Sequence, residues 1–340
     1  MSTGILPVPP GPLQAAPVHP NTRHGLDFCR RVPRELVHRT HATEVFLADG
    51  LRIGQDRVYV AGQWPGIHLL HHPDVHGTSD PLLLVETARQ AAIYLAHHFY
   101  AVPLGRRFVF CDLRLAIADR AALRATGTDL DVELDCRVTV EPRSSDRRFG
   151  ARVQAEVAVA GRPCATIAVR LMAMEEARYE ALRRRSRQLP EPGGFVAPAD
   201  LLAPDLVGRI WSWNVLLAPQ DPASAGNYRM HLDPAHPGFF EHACDHIPGI
   251  AFAEAFQQAA HHILHHPAAG ATGSSARYQL ESTDVDFESF GELHSPPVIS
   301  LDGAADAGPD GRRPLALTAT QEGRVLARAR MVYQPVDGWV

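Results

Sequence analysis

Glu86, Arg89 and Gln90 stand at i, i+3 and i+4 of PLLLVETARQAAIYLAHH, residues 81 to 98, so a helix here presents all three on one face. The rest of that segment is apolar on nearly every side, which marks a helix enclosed by protein. The pattern recurs in PGIAFAEAFQQAAHHILHH, residues 248 to 266, where Glu254, Gln257 and Gln258 fall at the same offsets. A buried carboxylate is either held by a counter-charge or becomes a good proton acceptor, hence a candidate general base. In the first set Arg89 is at hand, and an internal ion pair with Glu86 accounts for that copy on its own. The second set has no arginine at i+3 or i+4. Glu254 is therefore the preferred base and Glu86 the second candidate.

The loops ahead of these helices are rich in histidine: His68, His71, His72 and His76 before the first, and His236, His242 and His246 before the second. None has metal-ligand spacing, neither HExxH nor a His/carboxylate facial set, so no metal and no other cofactor is expected. His242 and His246 lie just before the second helix and are candidate substrate-binding groups near Glu254. Pro248 and Gly249 open that helix, leaving backbone N–H groups for a thioester carbonyl or its oxyanion, with Gly249 allowing close approach. At the first helix, Asp80 is placed to cap those amides, with Pro81 in the first turn. His97–His98, His261–His262 and His265–His266 fall toward helix C-termini, where the dipole favours them. No Ser–His–Asp arrangement asks for an acyl-enzyme, so direct transfer is the simpler chemistry, with Cys244 the alternative nucleophile.

Two matching runs of elements must position these groups. ATEVFLADG (42 to 50) and DRVYVAGQW (56 to 64) precede the first helix; SWNVLLAPQ (212 to 220) and GNYRMHLDP (226 to 234) precede the second. After each helix come strand candidates, 106 to 117 and 276 to 287, and a closing hairpin turning at Gly161 or Gly323. A helix apolar all round must be wrapped by a curved antiparallel sheet. The expected fold is α+β, a tandem hotdog forming a pseudo-dimer about an approximate two-fold axis. Its expected divisions are an unstructured Pro-rich arm over 1–35, repeats over 36–181 and 205–340, and a Pro/Gly-punctuated linker over 182–204. The basic run Arg183 to Arg187 reads as a solvated helix end.

Composition narrows the function. A formal net charge of −5 over 340 residues argues against a nucleic-acid or anionic-membrane binder. No long uncharged apolar run predicts a membrane span, and the first twenty residues lack the basic start and apolar run of a secretion signal. Five scattered cysteines fit reduced thiols in the cytoplasm. All 33 basic residues are arginines, so lysine chemistry is excluded and any phosphate must meet Arg or backbone amides.

At DPLLLVETARQAAIYLAHHFYAVPLG and DHIPGIAFAEAFQQA the sequence resembles the A-factor biosynthesis hotdog family, the γ-butyrolactone synthases of actinomycetes, over most of residues 36 to 335. The resemblance implies an acyltransferase that moves a β-ketoacyl group from acyl carrier protein, or coenzyme A, to the hydroxyl of dihydroxyacetone phosphate. The ester then cyclises to a phosphorylated butenolide, precursor of a diffusible signal. Glu86, Arg89 and Gln90 match the first helix motif, and Glu254, Ala255 and Gln258 the second. The family usually carries Arg where this chain has Gln257, which puts the acceptor's phosphate anchor in question. Two other readings stay open: a hotdog thioesterase or dehydratase, with His72 at dehydratase spacing from Glu86, and a non-catalytic acyl- or lactone-binding protein. The assembly expected is a monomeric pseudo-dimer or a homodimer.

Overall fold

In the computed structural model, residues 25–336 are described apart from 75–76, 143–147, 187–199, 221–225, 241–243, 267–276 and 305–307. The first half runs β1 (Leu47–Arg52), β2 (Arg57–Trp64), α1 (Leu82–Tyr100), then β3 (Arg107–Ile117), β4 (Leu130–Val140), β5 (Arg148–Val159) and β6 (Arg162–Met174). Helix α2 (Glu176–Ser186) follows. The second half repeats the order as β7 (Leu217–Pro219), β8 (Asn227–Met230), α3 (Gly249–His265), β9 (Arg277–Phe287), β10 (Val298–Ala304), β11 (Arg313–Gln321) and β12 (Arg324–Val336). Four strands follow each central helix, where the sequence pattern pointed to three. The additional ones, β4 and β10, join the first strands of each half to its closing hairpin.

All twelve strands form one antiparallel sheet in the order β1-β2-β4-β5-β6-β3-β9-β12-β11-β10-β8-β7. Each strand of one half has its counterpart at the mirrored place, as an approximate two-fold axis requires. The closing hairpins turn on two residues each, Ala160–Gly161 and Glu322–Gly323, all with positive φ. That geometry matches the twist of the flanking strands. The halves join where β3 pairs with β9, Leu113 opposite Val285. Arg114 crosses this seam, donating to the Val285 carbonyl at 2.9 Å and pairing with Asp286.

The sheet wraps α1 and α3 as the apolar character of both helices demands; residues from Leu82 to His97 and from Ala251 to Ala260 are almost continuously buried. Among the described residues no helix is long and apolar enough to cross a membrane. Of the expected arm, residues 1–24 lie outside the described residues, whereas Leu26 and Phe28 pack with Ala61 against the sheet. Of the expected linker, 187–199 also lie outside them, and α2 runs across its expected start. Arg183 on α2 corrects the reading of a solvated basic end. Its side chain is 1% exposed and donates to Glu292 at 2.8 and 2.9 Å and to Asp245 at 3.0 Å. Arg184 and Arg185 are exposed as expected.

Candidate functional site

The two helical motifs make the same contacts. Gln90 donates to Glu86 at 2.7 Å and to the Glu44 carbonyl at 2.8 Å, while its own carbonyl accepts from the Phe46 N–H at 2.9 Å. Gln258 donates to Glu254 at 2.5 Å and to the Asn214 carbonyl at 2.7 Å, and accepts from the Leu216 N–H at 2.9 Å. Each glutamine thus satisfies backbone groups of the chain entering the sheet and fixes its glutamate beside them.

The counter-charges come from outside the helices. Arg39 pairs with Glu86, and Arg89 adds two hydrogen bonds at 2.8 and 2.9 Å. Arg209 grips Glu254 with a bidentate contact, one bond at 2.5 Å, and reaches Asp80 of the first half at 3.2 Å. Glu254 is therefore not the unpaired carboxylate inferred from its helix. Its arginine lies 45 residues upstream, where helical offsets cannot reveal it. Glu86 is equally committed. Burial works against its ionisation, yet Arg39, Arg89 and Gln90 outweigh that and hold it well below the usual carboxylate range. Glu86 is therefore not poised as a base near neutral pH, and both carboxylate oxygens of Glu254 are engaged by Arg209.

The same symmetry produces two cavities, each using the flank of one helix and the N-terminus of the other. The first, about 280 Å³, sets Arg89 of α1 against Gly249 and Ile250 at the start of α3, under an apolar lining that includes Phe108, Phe287 and Phe290. Pro248 caps α3 without any side-chain bond, so the first amides of the helix are left for a ligand. The second, about 340 Å³, sets Gln257 of α3 against Asp80 and Pro81 at the start of α1. There Asp80 accepts from the Leu82 N–H at 2.9 Å and from Gln257 at 3.1 Å, so a carboxylate already occupies the helix start. Gly249 and Glu254 do not share a cavity, contrary to the sequence reading. Five residues turn a helix by about 500°, which leaves them on different faces.

His246 lines the first cavity beside Arg89 and Gly249. Its Nδ1 is 2.7 Å from Asp245 and 3.2 Å from the Tyr179 hydroxyl, which itself donates to Asp245 at 2.7 Å. Partial burial would raise the Asp245 carboxyl, but His246, Tyr179 and Arg183 hold it well below its ordinary value. Both of these contacts use Nδ1, on a residue that lines the cavity. His242 and His76 lie outside the described residues. Cys244 is half-buried and burial pushes its thiol up, which disfavours the thiolate a nucleophile needs. His72 sits in the second cavity, not beside Glu86. Its Nδ1 faces the Pro73 carbonyl at 3.0 Å and its Nε2 accepts from the Ile210 N–H at 3.3 Å. His68 and His236 serve structure in matching ways, binding Glu44 at 3.2 Å and Asn214 at 2.9 Å. Among the described residues no group of three metal-ligating side chains could hold an ion.

The model of the A-factor biosynthesis hotdog domain matches residues 21–175 and 196–337. The chain belongs to that family. A Streptomyces virginiae protein named 2-oxo-3-(phosphooxy)propyl 3-oxoalkanoate synthase is 31% identical over 300 residues, covering 86% of this chain and 93% of the relative. A Streptomyces coelicolor protein of the same name is 31% identical over 234 residues, covering 67% and 71%. Among solved structures, a putative oleoyl thioesterase from Lactobacillus plantarum aligns with a TM-score of 0.49 at 11% identity, over 84% of this chain and all of that one.

Arg39 and Arg209 were not singled out from sequence, although a signal existed. Leu36-Val37-x-Arg39 and Leu206-Val207-x-Arg209 stand at matching places ahead of the first strand of each repeat. Both arginines follow a residue in the left-handed region, His38 at φ 52° and Gly208 at φ 68°, which turns the chain toward the helix.

Proposed function

We propose that the chain is the acyltransferase of a γ-butyrolactone pathway, working in the cytoplasm. It transfers a β-ketoacyl group from a carrier or coenzyme A thioester to the hydroxyl of dihydroxyacetone phosphate. The observation that carries this reading is the first cavity, where an apolar lining, a free helix N-terminus, an arginine and an oriented histidine converge. The relatives' names describe the ester such a transfer would make.

The acyl chain fits the phenylalanine-lined part of the cavity, with the thioester carbonyl at the amides of Gly249 and Ile250. His246 takes the acceptor's hydroxyl proton as its oxygen attacks the carbonyl carbon. The oxyanion collapses, the C–O bond stays and the C–S bond breaks. The proton passes from His246 to the departing sulfur, so no net base is consumed. Arg89 uses two of its nitrogens on Glu86, and its remaining amino group is placed to meet the acceptor's phosphate. Glu86, Arg39 and Gln90 are positioning residues for that arginine. In this scheme Gln257 and Gln258, on the far face of α3, do not touch the substrate.

The test is direct. The protein is mixed with a β-ketoacyl thioester and dihydroxyacetone phosphate, and the phosphorylated ester or its butenolide is sought by mass spectrometry. Free acid released at the same rate without acceptor would make the protein a thioesterase.

A further inference from the structure

The second cavity differs from the first in the features that acyl transfer needs. Gln257 replaces the arginine, and Asp80 covers the helix start that the first cavity leaves open. Among the described residues it has instead a set of buried polar atoms without a hydrogen-bond partner. Arg120, on the turn after β3, lines the cavity, and its Nε and one terminal nitrogen are buried without a hydrogen-bond partner. The hydroxyl of Tyr333, from β12, and the side-chain oxygen of Gln257 are in the same condition. Buried polar atoms of this kind are rarely left unpaired, and those of a charged guanidinium are the most costly.

The nearby carboxylates do not meet the need. Asp74 accepts from the Thr78 N–H at 2.9 Å, and Glu281 is held by Arg312 at 2.5 and 2.9 Å. Asp80 is matched by Arg209. Burial brings the Arg120 guanidinium down to about 10, because Tyr333, Asp74 and Glu281 offset the desolvation only in part. The group is charged at neutral pH and undersupplied with negative partners.

We propose that the second cavity is an anion site that takes the phosphate monoester of a small hydroxylated molecule. The Nε edge of Arg120 presents two parallel N–H groups, which suit two oxygens of one phosphate or carboxylate. The Tyr333 hydroxyl adds a third donor, which suits the three terminal oxygens and the larger charge of a phosphate monoester better than the two oxygens of a carboxylate. Gln257 supplies an acceptor for a hydroxyl on the ligand's carbon skeleton. A volume of about 340 Å³ holds such a molecule.

Because Arg89 in the first cavity also suits a phosphate, the experiment is run on the full-length chain carrying Arg89→Gln. Inorganic phosphate, glycerol 3-phosphate and acetate are titrated by calorimetry at fixed ionic strength. The inference expects phosphate binding to survive Arg89→Gln, to tighten with glycerol 3-phosphate, and to be weak with acetate. Adding Arg120→Gln should weaken it about tenfold or more, and Tyr333→Phe, which keeps the ring and its packing, by several-fold. Should Arg120→Gln fail to give the wild-type circular dichroism spectrum, Tyr333→Phe decides. Loss of phosphate binding in Arg89→Gln alone would place the anion in the first cavity and overturn the proposal. So would undiminished binding in the Arg120 and Tyr333 variants, or acetate binding as tightly as phosphate. None of these readouts depends on acyl transfer, so they stand or fall apart from the catalytic reading.

Discussion

Arg209 of the second half and Asp80 of the first meet at 3.2 Å, with side chains only 5% and 1% exposed. The same guanidinium holds Glu254, so one cation neutralises a carboxylate from each repeat at the place where the two helices approach. Burial alone would weaken the arginine's charge, and the two carboxylates raise its proton affinity above the ordinary value instead. Removing it leaves two buried anions uncompensated. Arg209→Ala is expected to cost about 3–5 kcal/mol in urea unfolding. Combining Arg209→Met with Glu254→Gln, which removes charge from both sides, should recover part of that. A wild-type unfolding midpoint for Arg209→Ala would mean that the pair contributes nothing to holding the halves together.

Acid should destabilise the protein in two stages. Burial, helped by His265 and Arg209, brings the imidazole of His261 down to about 3, against roughly 6.5 in an unfolded chain. As pH falls below that unfolded value, the unfolded state takes up the proton first, so stability is lost progressively between roughly 6.5 and 3. His72, His236 and His262 are displaced in the same direction by burial. Glu86 and Asp80 are displaced downward, so their contribution is present above the ordinary carboxylate range and disappears only as pH drops toward their lowered native values. Melting temperatures from pH 4 to 7 should slope downward toward acid, and His261→Asn should flatten that slope. An unchanged slope would locate the loss in the other histidines.

The architecture was legible because it rests on local patterns written twice. A helix apolar on all sides, two strands before it, and a Gly-turned hairpin after it suffice to name a tandem hotdog. The site was legible only as far as helical spacing reaches. Glu86 with Arg89 and Gln90 could be read as one face, but Arg39 and Arg209 approach from a loop far away in sequence, and only the folded chain brings them in. Arg209 removes the premise on which Glu254 was preferred, that no arginine stood beside it. The partition of the cavities was hidden for a related reason: each combines the flank of one helix with the start of the other, a relation between repeats that no single segment contains. The strands β4 and β10 escaped although each pairs with the strand that follows it; their other partners, β2 and β8, lie on the far side of the central helix in sequence.

Gly208 and its counterpart His38 test how tightly the arginine loops are built. Both hold left-handed φ, so the conformation itself is open to a side chain in the first repeat. At Gly208, however, a Cβ would stand 2.9 Å from the His261 ring. Gly208→Ala should therefore destabilise by about 1–3 kcal/mol, combining backbone strain with displacement of that ring. Gly208→Ala together with His261→Ala removes the clash and should recover the part due to space. If the double variant is no better than the sum of the singles, the backbone strain accounts for the whole effect.

The last expectation concerns which group accepts the proton. Glu254 and Glu86 are both fixed by arginines, whereas His246 is held at Nδ1 by Asp245 and faces the cavity that contains the open start of α3. His246→Ala should lower kcat for acyl transfer by about a hundredfold or more, while the thioester KM changes little, because the acyl chain is held by apolar contacts elsewhere. Asp245→Asn, which keeps the shape but removes the charge that orients the imidazole, should lower kcat by less than His246→Ala does. Glu86→Gln should act through Arg89, raising the acceptor's KM more than it lowers kcat, since a neutral amide holds the guanidinium less firmly. Glu254→Gln, on the far face of α3, should lower stability while leaving kcat within a few-fold of wild type. Full turnover in His246→Ala with loss in Glu254→Gln would return the chemistry to the glutamate that the sequence favoured.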